Sequence, residues 1–129
     1  MGEMLEYQLS TDIKGKYLDG GQSYLLRLRA DMPKCIFWSV LVYNDSDQLI
    51  ISTDQPWPSI HSNLAKLTVN EDGSVHVYFG PKAPLSAEKN WIKTLAGKKW
   101  YAAVRFYNLL EPFTDTSWRP GDIVKISDT

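Results

Sequence analysis

Several patterns that mark common biochemical functions are missing from this 129-residue chain. Cys35 is the only cysteine, so the chain cannot form an internal disulfide bond. The two histidines, His61 and His76, lie in different predicted elements and match no zinc-ligand spacing. The twelve-residue calcium loop, the glycine loop that holds phosphates and the Gly-x-Ser-x-Gly elbow are missing as well. We therefore expect no metal site and no cofactor.

An excess of positive charge and a long apolar run are also missing. The 14 basic residues nearly balance the 15 acidic ones, for a net charge of −1. This balance argues against a nucleic acid or an anionic membrane as the partner, because both favour a basic excess. No segment approaches the run of ~20 apolar residues that a membrane-spanning helix needs. The start, MGEMLEYQLS, lacks the basic and apolar regions of a signal peptide, so we expect a soluble chain of unknown compartment.

Apolar and aromatic residues, by contrast, are sufficient for one folded domain over residues 1–129. Hydrophobic residues make up 43% of the chain and charged residues 22%, which is ordinary for a globular protein. A chain of this length buries roughly two-thirds of its unfolded surface, so it can form a core without disulfides or metals. Five tryptophans are many for this length, and a tryptophan in a loop is often a contact residue.

Period-two alternation of apolar residues predicts β-strands along most of the chain. The segments 22–30, 75–79 and 99–107 alternate, which is typical of strands with one buried face, and Ile36–Tyr43 is apolar on both faces. Shorter strands are predicted at Met4–Leu9, Gln48–Ser52, Ala65–Val69 and Ile123–Ser127. Turns at Asn44–Asp47 and Asn70–Ser74 predict antiparallel hairpins. The predicted core comprises Leu26, Leu28, Trp38, Val40, Val42, Val77, Phe79, Trp100, Val104 and Phe106.

Two long loops separate these strands, at Thr53–Asn63 and Gly80–Gly97, and the second is predicted to hold at most one helical turn, at Ser86–Lys89. Several short strands with this spacing predict an all-β fold, an antiparallel β-sandwich of jelly-roll type with little helix.

Four ordered motifs resemble the domain-of-unknown-function 1214 family. They are FWSVLVYNDSDQLI (Phe37–Ile50), VNEDGSVHVYFGPKAP (Val69–Pro84), NWIKTLAGKKWYAAVRFYN (Asn90–Asn108) and WRPGDI (Trp118–Ile123). The resemblance covers roughly Asp19 to Ile126. It implies a jelly-roll-like β-sandwich that usually forms the C-terminal part of bacterial proteins, behind a different, 1254-type β-rich domain. The chain is accordingly expected to be either an excised part of a longer protein or a stand-alone relative. The resemblance implies no catalytic residues.

Aromatic and cationic side chains that alternate with the core form the strongest candidate for a binding surface. If their strands are neighbours, we expect an aromatic and cationic platform, walled by tryptophans from the two long loops. Arg105, Tyr107 and Trp91 in particular are predicted to lie close together on one sheet. Such surfaces bind sugar rings or protein partners, whereas the simpler interpretation is cross-strand pairing on a solvated face. The candidate residues are Trp91, Arg105, Tyr107, Tyr101, Trp57, Tyr78 and His76, with Arg27 and Arg29 on a further strand.

Catalysis is the main alternative. The loop carboxylates Asp54, Glu88, Glu111 and Asp115 would serve a polysaccharide hydrolase or lyase if two of them faced each other across ~5–10 Å. Solvated loop charges are the more common outcome. Cys35 enters an apolar strand, and burial there would raise its thiol pKa and make it inert.

We therefore expect a non-catalytic interaction module that binds a glycan or a neighbouring β domain. A polysaccharide-degrading enzyme and a structural oligomerisation domain, which would form a homo-oligomer, are the alternatives. An enzyme should have a deep cleft with paired carboxylates, and a binding module should have a shallow aromatic platform. A domain that forms oligomers should have a large apolar patch.

Overall fold

The computed structural model describes residues 3–56, 58–64, 67–84 and 90–126. Its nine β-strands are β1 Leu5–Leu9, β2 Leu18–Asp19, β3 Tyr24–Leu28, β4 Cys35–Asn44, β5 Ser59–His61, β6 Val75–Gly80, β7 Trp91–Lys93, β8 Lys99–Leu109 and β9 Ile123–Lys125. Two sheets result, which confirms the predicted all-β sandwich. The predicted helical turn at 86–89 lies outside the described residues.

The first sheet, sheet A, has the strand order β1-β8-β4-β5, with β2 also paired to β8. The long strands β4 and β8 form its antiparallel centre, from Cys35 opposite Leu109 to Asn44 opposite Trp100. Sheet B has the order β7-β6-β3-β9. Its β6 and β7 run parallel, whereas every other strand pair of the two sheets is antiparallel.

The core lies between the sheets, and all ten predicted core residues are buried. It also includes Leu18, Tyr24, Ile92 and Trp118. Aromatic rings fill its centre: Trp100 lies 4.7 Å from Phe79 and 5.7 Å from Tyr24 between ring centroids. Alternation predicts these positions correctly because each of these strands has one face against the opposite sheet.

The predicted turns are present, but two of the predicted strands do not form among the residues that the structure describes. At 70–74 the chain turns sharply, with Asn70 N–H bonded to the Ser74 carbonyl at 2.9 Å. Residues 67–69 are nevertheless irregular, and residues 65–66 lie outside the described part of the chain. Residues 48–52 follow the turn at 44–47 with a single bridge, between Ile50 and Tyr43, rather than as a strand. Among the described residues, no helix is long and apolar enough to cross a membrane.

Candidate functional site

The outer face of sheet A carries a mixed aromatic and polar surface, which we call the Arg105 face. Strand β8 contributes Tyr101, Arg105 and Tyr107, because Ala102, Val104 and Phe106, which alternate with the outward positions, point into the core. The register places side chains of β1, β4 and β5 beside them. The other members of the face are Glu6, Phe37, Ser39, Leu41, Tyr43 and His61.

Arg105 lies at the centre of the Arg105 face and is fixed by two hydrogen bonds. Arg105 Nε donates to Glu6 Oε1 at 2.7 Å, and its Nη2 donates to the Tyr43 hydroxyl at 2.8 Å. The guanidinium carbon also lies 5.6 Å from the Tyr43 ring centroid, within cation–π distance. The side chains of Arg105 and Glu6 are only 25% and 27% exposed. Because Glu6 and Tyr43 fix the Arg105 guanidinium in place, this planar group presents a preorganised set of hydrogen-bond donors.

The negative member of the pair is stabilised as a carboxylate. The amide of Gln8, at 2.8 Å, and then the Arg105 guanidinium lower the pKa of Glu6 below its ordinary value. The pair is therefore ionised across the neutral pH range.

Two aromatic groups flank this pair along the strands. On one side, Phe37 lies 5.4 Å from His61 and 5.5 Å from Tyr107 between ring centroids. On the other side, Tyr43 and Tyr101 meet edge to face at 5.3 Å. Tyr101 also has a raised pKa because of partial burial. The result is a half-buried, ring-rich surface.

Trp91 lies on the opposite side of the molecule. It begins β7, the edge strand of sheet B, and its neighbour Ile92 is fully buried in the core. Trp91 therefore points outward from sheet B, where the register places it beside Tyr78. Its indole Nε1 donates to the Gly80 carbonyl at 3.0 Å, which fixes the ring. We call the outward side of sheet B the Trp91 face; it also includes Leu25, His76 and Val124.

The prediction that Trp91, Arg105 and Tyr107 share one surface is therefore wrong. Their strands belong to different sheets, and their outward sides face away from each other. His76 and Tyr78 likewise lie on the Trp91 face, in edge-to-face contact at 6.4 Å, apart from Tyr101. Alternation predicts correctly that each residue points outward. It does not predict which of the two sheets a strand joins.

The predicted loop position of Trp91 is also wrong, since this residue starts a strand of three residues. Two side chains hold this strand in place. Asn90, 4% exposed, bonds to the backbone of Thr68 and His76, so it fixes the entry into β7. Gln55 accepts from Lys93 N–H and donates to the Trp91 carbonyl, both at 2.9 Å. The Gln55 side chain thus bonds to backbone groups at the edge of β7 that a neighbouring strand would otherwise pair.

The remaining candidate cations are engaged in local pairs. Arg27 pairs with Asp72, and Arg29 pairs with Asp31 at 2.6 Å. Arg29 also lies 5.5 Å from the centroid of the buried Trp118 ring. These pairs are about half exposed, so their contribution to stability is small.

The loop carboxylates have separate local roles where they are described. Asp54 pairs with Lys93 at 2.8 Å, Glu111 with Lys34 at 3.9 Å, and Asp115 accepts from the Ser117 hydroxyl at 2.6 Å. Glu88 and the candidate Trp57 lie outside the described residues. Within residues 3–56, 58–64, 67–84 and 90–126, no three His, Cys, Asp or Glu side chains cluster to hold a metal.

Cys35 lies at the start of β4, partly buried against the edge of the core rather than inside it. The apolar pattern of its strand predicts full burial, but the start of the strand is less covered than its middle, since the neighbouring Ile36 is 65% exposed. Burial still raises the pKa of the Cys35 thiol, which makes the thiolate scarce at neutral pH.

Sequence reasoning missed the members of the Arg105 face that come from β1, β4 and β5. Glu6 alternates with Leu5, Tyr7 and Leu9, so a signal for its outward direction was present. Its pairing with Arg105 depends on β1 lying beside β8, nearly one hundred residues later in the chain. No pattern indicates that Phe37 and Tyr43 point outward, because β4 is apolar on both faces.

Comparisons with known proteins place this fold within longer chains. The VPA0106 protein from Vibrio parahaemolyticus has a similar structure, with a TM-score of 0.81 and 23% identity over 97% of this chain. An uncharacterised protein from Burkholderia cenocepacia gives a TM-score of 0.63 and 17% identity over 95% of this chain. The chain spans 31% and 29% of the length of these two proteins.

No curated protein matches the sequence. The family model described as "Protein of unknown function (DUF1214)" matches residues 3–111, which extends the resemblance to β1 and ends before β9. The chain therefore belongs to the DUF1214 family.

Proposed function

We propose that this chain is a non-catalytic interaction module whose Arg105 face binds a neighbouring β domain. The observation that carries the proposal is the composition of that face: a preorganised arginine among five rings, Phe37, Tyr43, His61, Tyr101 and Tyr107. Aromatic residues and arginine are enriched at the centres of protein interfaces.

Burial supports the same proposal. Ala103 and Ser39 lie on this outward side of sheet A and are only 1% and 6% exposed. The rings around them therefore already exclude water from the middle of the face. For a partner that covers such a surface the cost of desolvating Arg105 is reduced, because its guanidinium is already paired with Glu6 and Tyr43. Similar folds that occupy about 30% of longer chains are consistent with a neighbouring domain as the partner.

Site-specific photo-crosslinking in the cell that produces the protein tests this proposal. A photoreactive phenylalanine analogue replaces Tyr107 on the Arg105 face or, as a matched control, Tyr78 on the Trp91 face. Both are half-buried tyrosines at outward strand positions, so they differ mainly in the side of the sandwich. We expect a crosslink to a β-rich domain from position 107 and none from position 78.

Other outcomes contradict the proposal. A crosslink from position 107 only to a second copy of the chain would instead support the oligomerisation alternative. Equal yields from both positions would show that neither face is selective.

Glycan binding is a second candidate, and it is favoured by one observation on the Trp91 face. The indole of Trp91 is fixed by its bond to Gly80 and lies beside Tyr78, with Lys93 on the same strand. A fixed aromatic ring with neighbouring donors suits a sugar ring. A glycan array that compares the wild type with Trp91→Ala tests it: we expect a loss of ~1–3 kcal/mol of binding free energy. An identical binding pattern for the two proteins would remove this candidate.

A further inference from the structure

A small cavity lies away from the Arg105 face, where the loop after β1 meets the edge strand β9; its wall includes Val124, which is also at the border of the Trp91 face. Its volume is about 300 Å³. The loop supplies Asp12, Ile13, Lys14 and Lys16, and β9 supplies Val124 and Lys125. Ile13 N–H donates to the Ile123 carbonyl at 2.9 Å, so the loop is fixed against the strand. The two walls therefore keep their relative position without a ligand.

The cavity is positively charged in a chain whose net charge is −1. Three lysines line it, and none of them takes part in the ion pairs of the described residues. The one carboxylate, Asp12, is engaged by the backbone, since its Oδ1 accepts from Lys14 N–H at 2.8 Å and from Lys16 N–H at 3.1 Å. Asp12 thereby shapes the turn that brings the lysines together. The local charge of the lining, three positive and one negative, favours an anion.

The same cavity has an apolar part. Ile13 is 58% exposed and Val124 is 43% exposed, although both contribute to its wall. A fully hydrated inorganic ion would leave this apolar surface uncovered. A ligand with a charged end and a short hydrocarbon part would cover it while its head contacts the lysine ammonium groups. The volume is at the lower end for ligand sites, which limits the ligand to a few carbon atoms.

We propose that this cavity binds a small amphiphilic anion, one that carries a carboxylate or phosphate head on a short apolar chain. The site is separate from the Arg105 face, so its occupancy does not depend on the partner proposed above.

Nuclear magnetic resonance titration of the whole chain tests the proposal with three probes: hexanoate, acetate and hexanol. We expect saturable shifts of the Ile13 and Val124 signals with hexanoate. Acetate should bind about tenfold more weakly, because it lacks the methylenes that cover the apolar wall. Hexanol should give no saturable shift, because the lysines attract a negative charge. Added salt should weaken the hexanoate complex. A titration with hexyl phosphate in place of hexanoate shows whether the cavity binds a phosphate head or a carboxylate head more tightly.

Single-lysine variants separate this site from a general attraction of anions. Lys14→Gln and Lys125→Gln should each weaken hexanoate binding about two- to fivefold, as expected for one exposed charge contact. Lys82→Gln removes the same charge at an exposed position outside the cavity and should leave the affinity unchanged. All three are surface changes, and circular dichroism verifies that each variant folds. Equal affinities for the four proteins, or hexanoate shifts without saturation at Ile13 and Val124, would overturn the proposal.

Discussion

Two buried hydroxyls show at the residue scale that the same group can stabilise a fold or merely be tolerated by it. Thr94 is fully buried, and its Oγ1 donates to the Gly20 carbonyl at 2.8 Å. The Oγ of Ser39 is also buried, but it has no hydrogen-bond partner among the described residues. Burying a polar atom without a partner costs free energy, whereas a bonded pair gives a small net gain.

The first prediction compares these two hydroxyls. Thr94→Val should lower the free energy of unfolding by about 1 kcal/mol or more, because it leaves the Gly20 carbonyl without its donor. Ser39→Ala should change it by less than about 0.5 kcal/mol, or raise it, because the lost hydroxyl had no partner. Urea denaturation of both variants measures the difference. A loss in Ser39→Ala as large as that in Thr94→Val would show that Ser39 is bonded after all.

A second prediction concerns Cys35. Its raised pKa and partial burial should make it react more slowly with a thiol reagent in the native protein than in urea. Cys35→Ala should cost about 1 kcal/mol from lost packing, since the residue is only partly buried. Stopped-flow labelling across pH gives the reactivity pKa. A value near neutral would instead identify an activated thiol and support a role for Cys35 as a nucleophile.

At the scale of elements, long alternating strands were predictable and short ones were not. Segments such as 99–107 carry enough alternating positions to identify both the strand and its buried face. The strand β7 has three residues and is held by hydrogen bonds from the side chains of Asn90 and Gln55. Such contacts join positions 14 to 38 residues apart, so no local pattern reveals them.

The turn at 70–74 gives a prediction at this scale. The hydroxyl and then the backbone N–H of Ser74 lower the pKa of Asp72 to about 2, with help from Arg27. The unfolded value is about 3.9, so the folded state favours the carboxylate. The ionised Asp72 therefore stabilises the folded state above about pH 4, and this stabilisation is lost as the pH falls through about 2.

A carboxyl titration by nuclear magnetic resonance measures this pKa directly. We expect Asp72 to titrate with a pKa of about 2 in the wild type. Ser74→Ala removes the main cause, so the pKa of Asp72 should return towards its ordinary value in that variant. Unchanged titration in Ser74→Ala would assign the shift to the Ser74 backbone N–H or to Arg27 instead, and the titration of Arg27→Gln would separate these two causes.

At the scale of the whole molecule, the candidate surface was predictable in its parts but not in its assembly. Tyr101, Arg105 and Tyr107 do form one face, and their outward direction follows from alternation. The error lies in joining them to Trp91, Tyr78 and His76, which belong to the other sheet. Strand order in a sandwich is set by packing between distant segments. Both sheets satisfy the same period-two pattern, so the sequence alone could not separate them.

The separation of the two faces gives the last prediction, a pair of double-mutant cycles. Trp91→Ala and Tyr107→Ala should have additive effects on the free energy of unfolding, within about 0.5 kcal/mol, because the core lies between the two side chains. Phe37→Ala and Tyr107→Ala should couple by about 0.5–1.5 kcal/mol, because their rings are 5.5 Å apart on the Arg105 face. Urea denaturation of the five variants provides both cycles, and the second serves as the control for the first. Strong coupling between Trp91 and Tyr107 would mean that the two residues share contacts, and it would contradict the strand order on which the separate Arg105 and Trp91 faces depend.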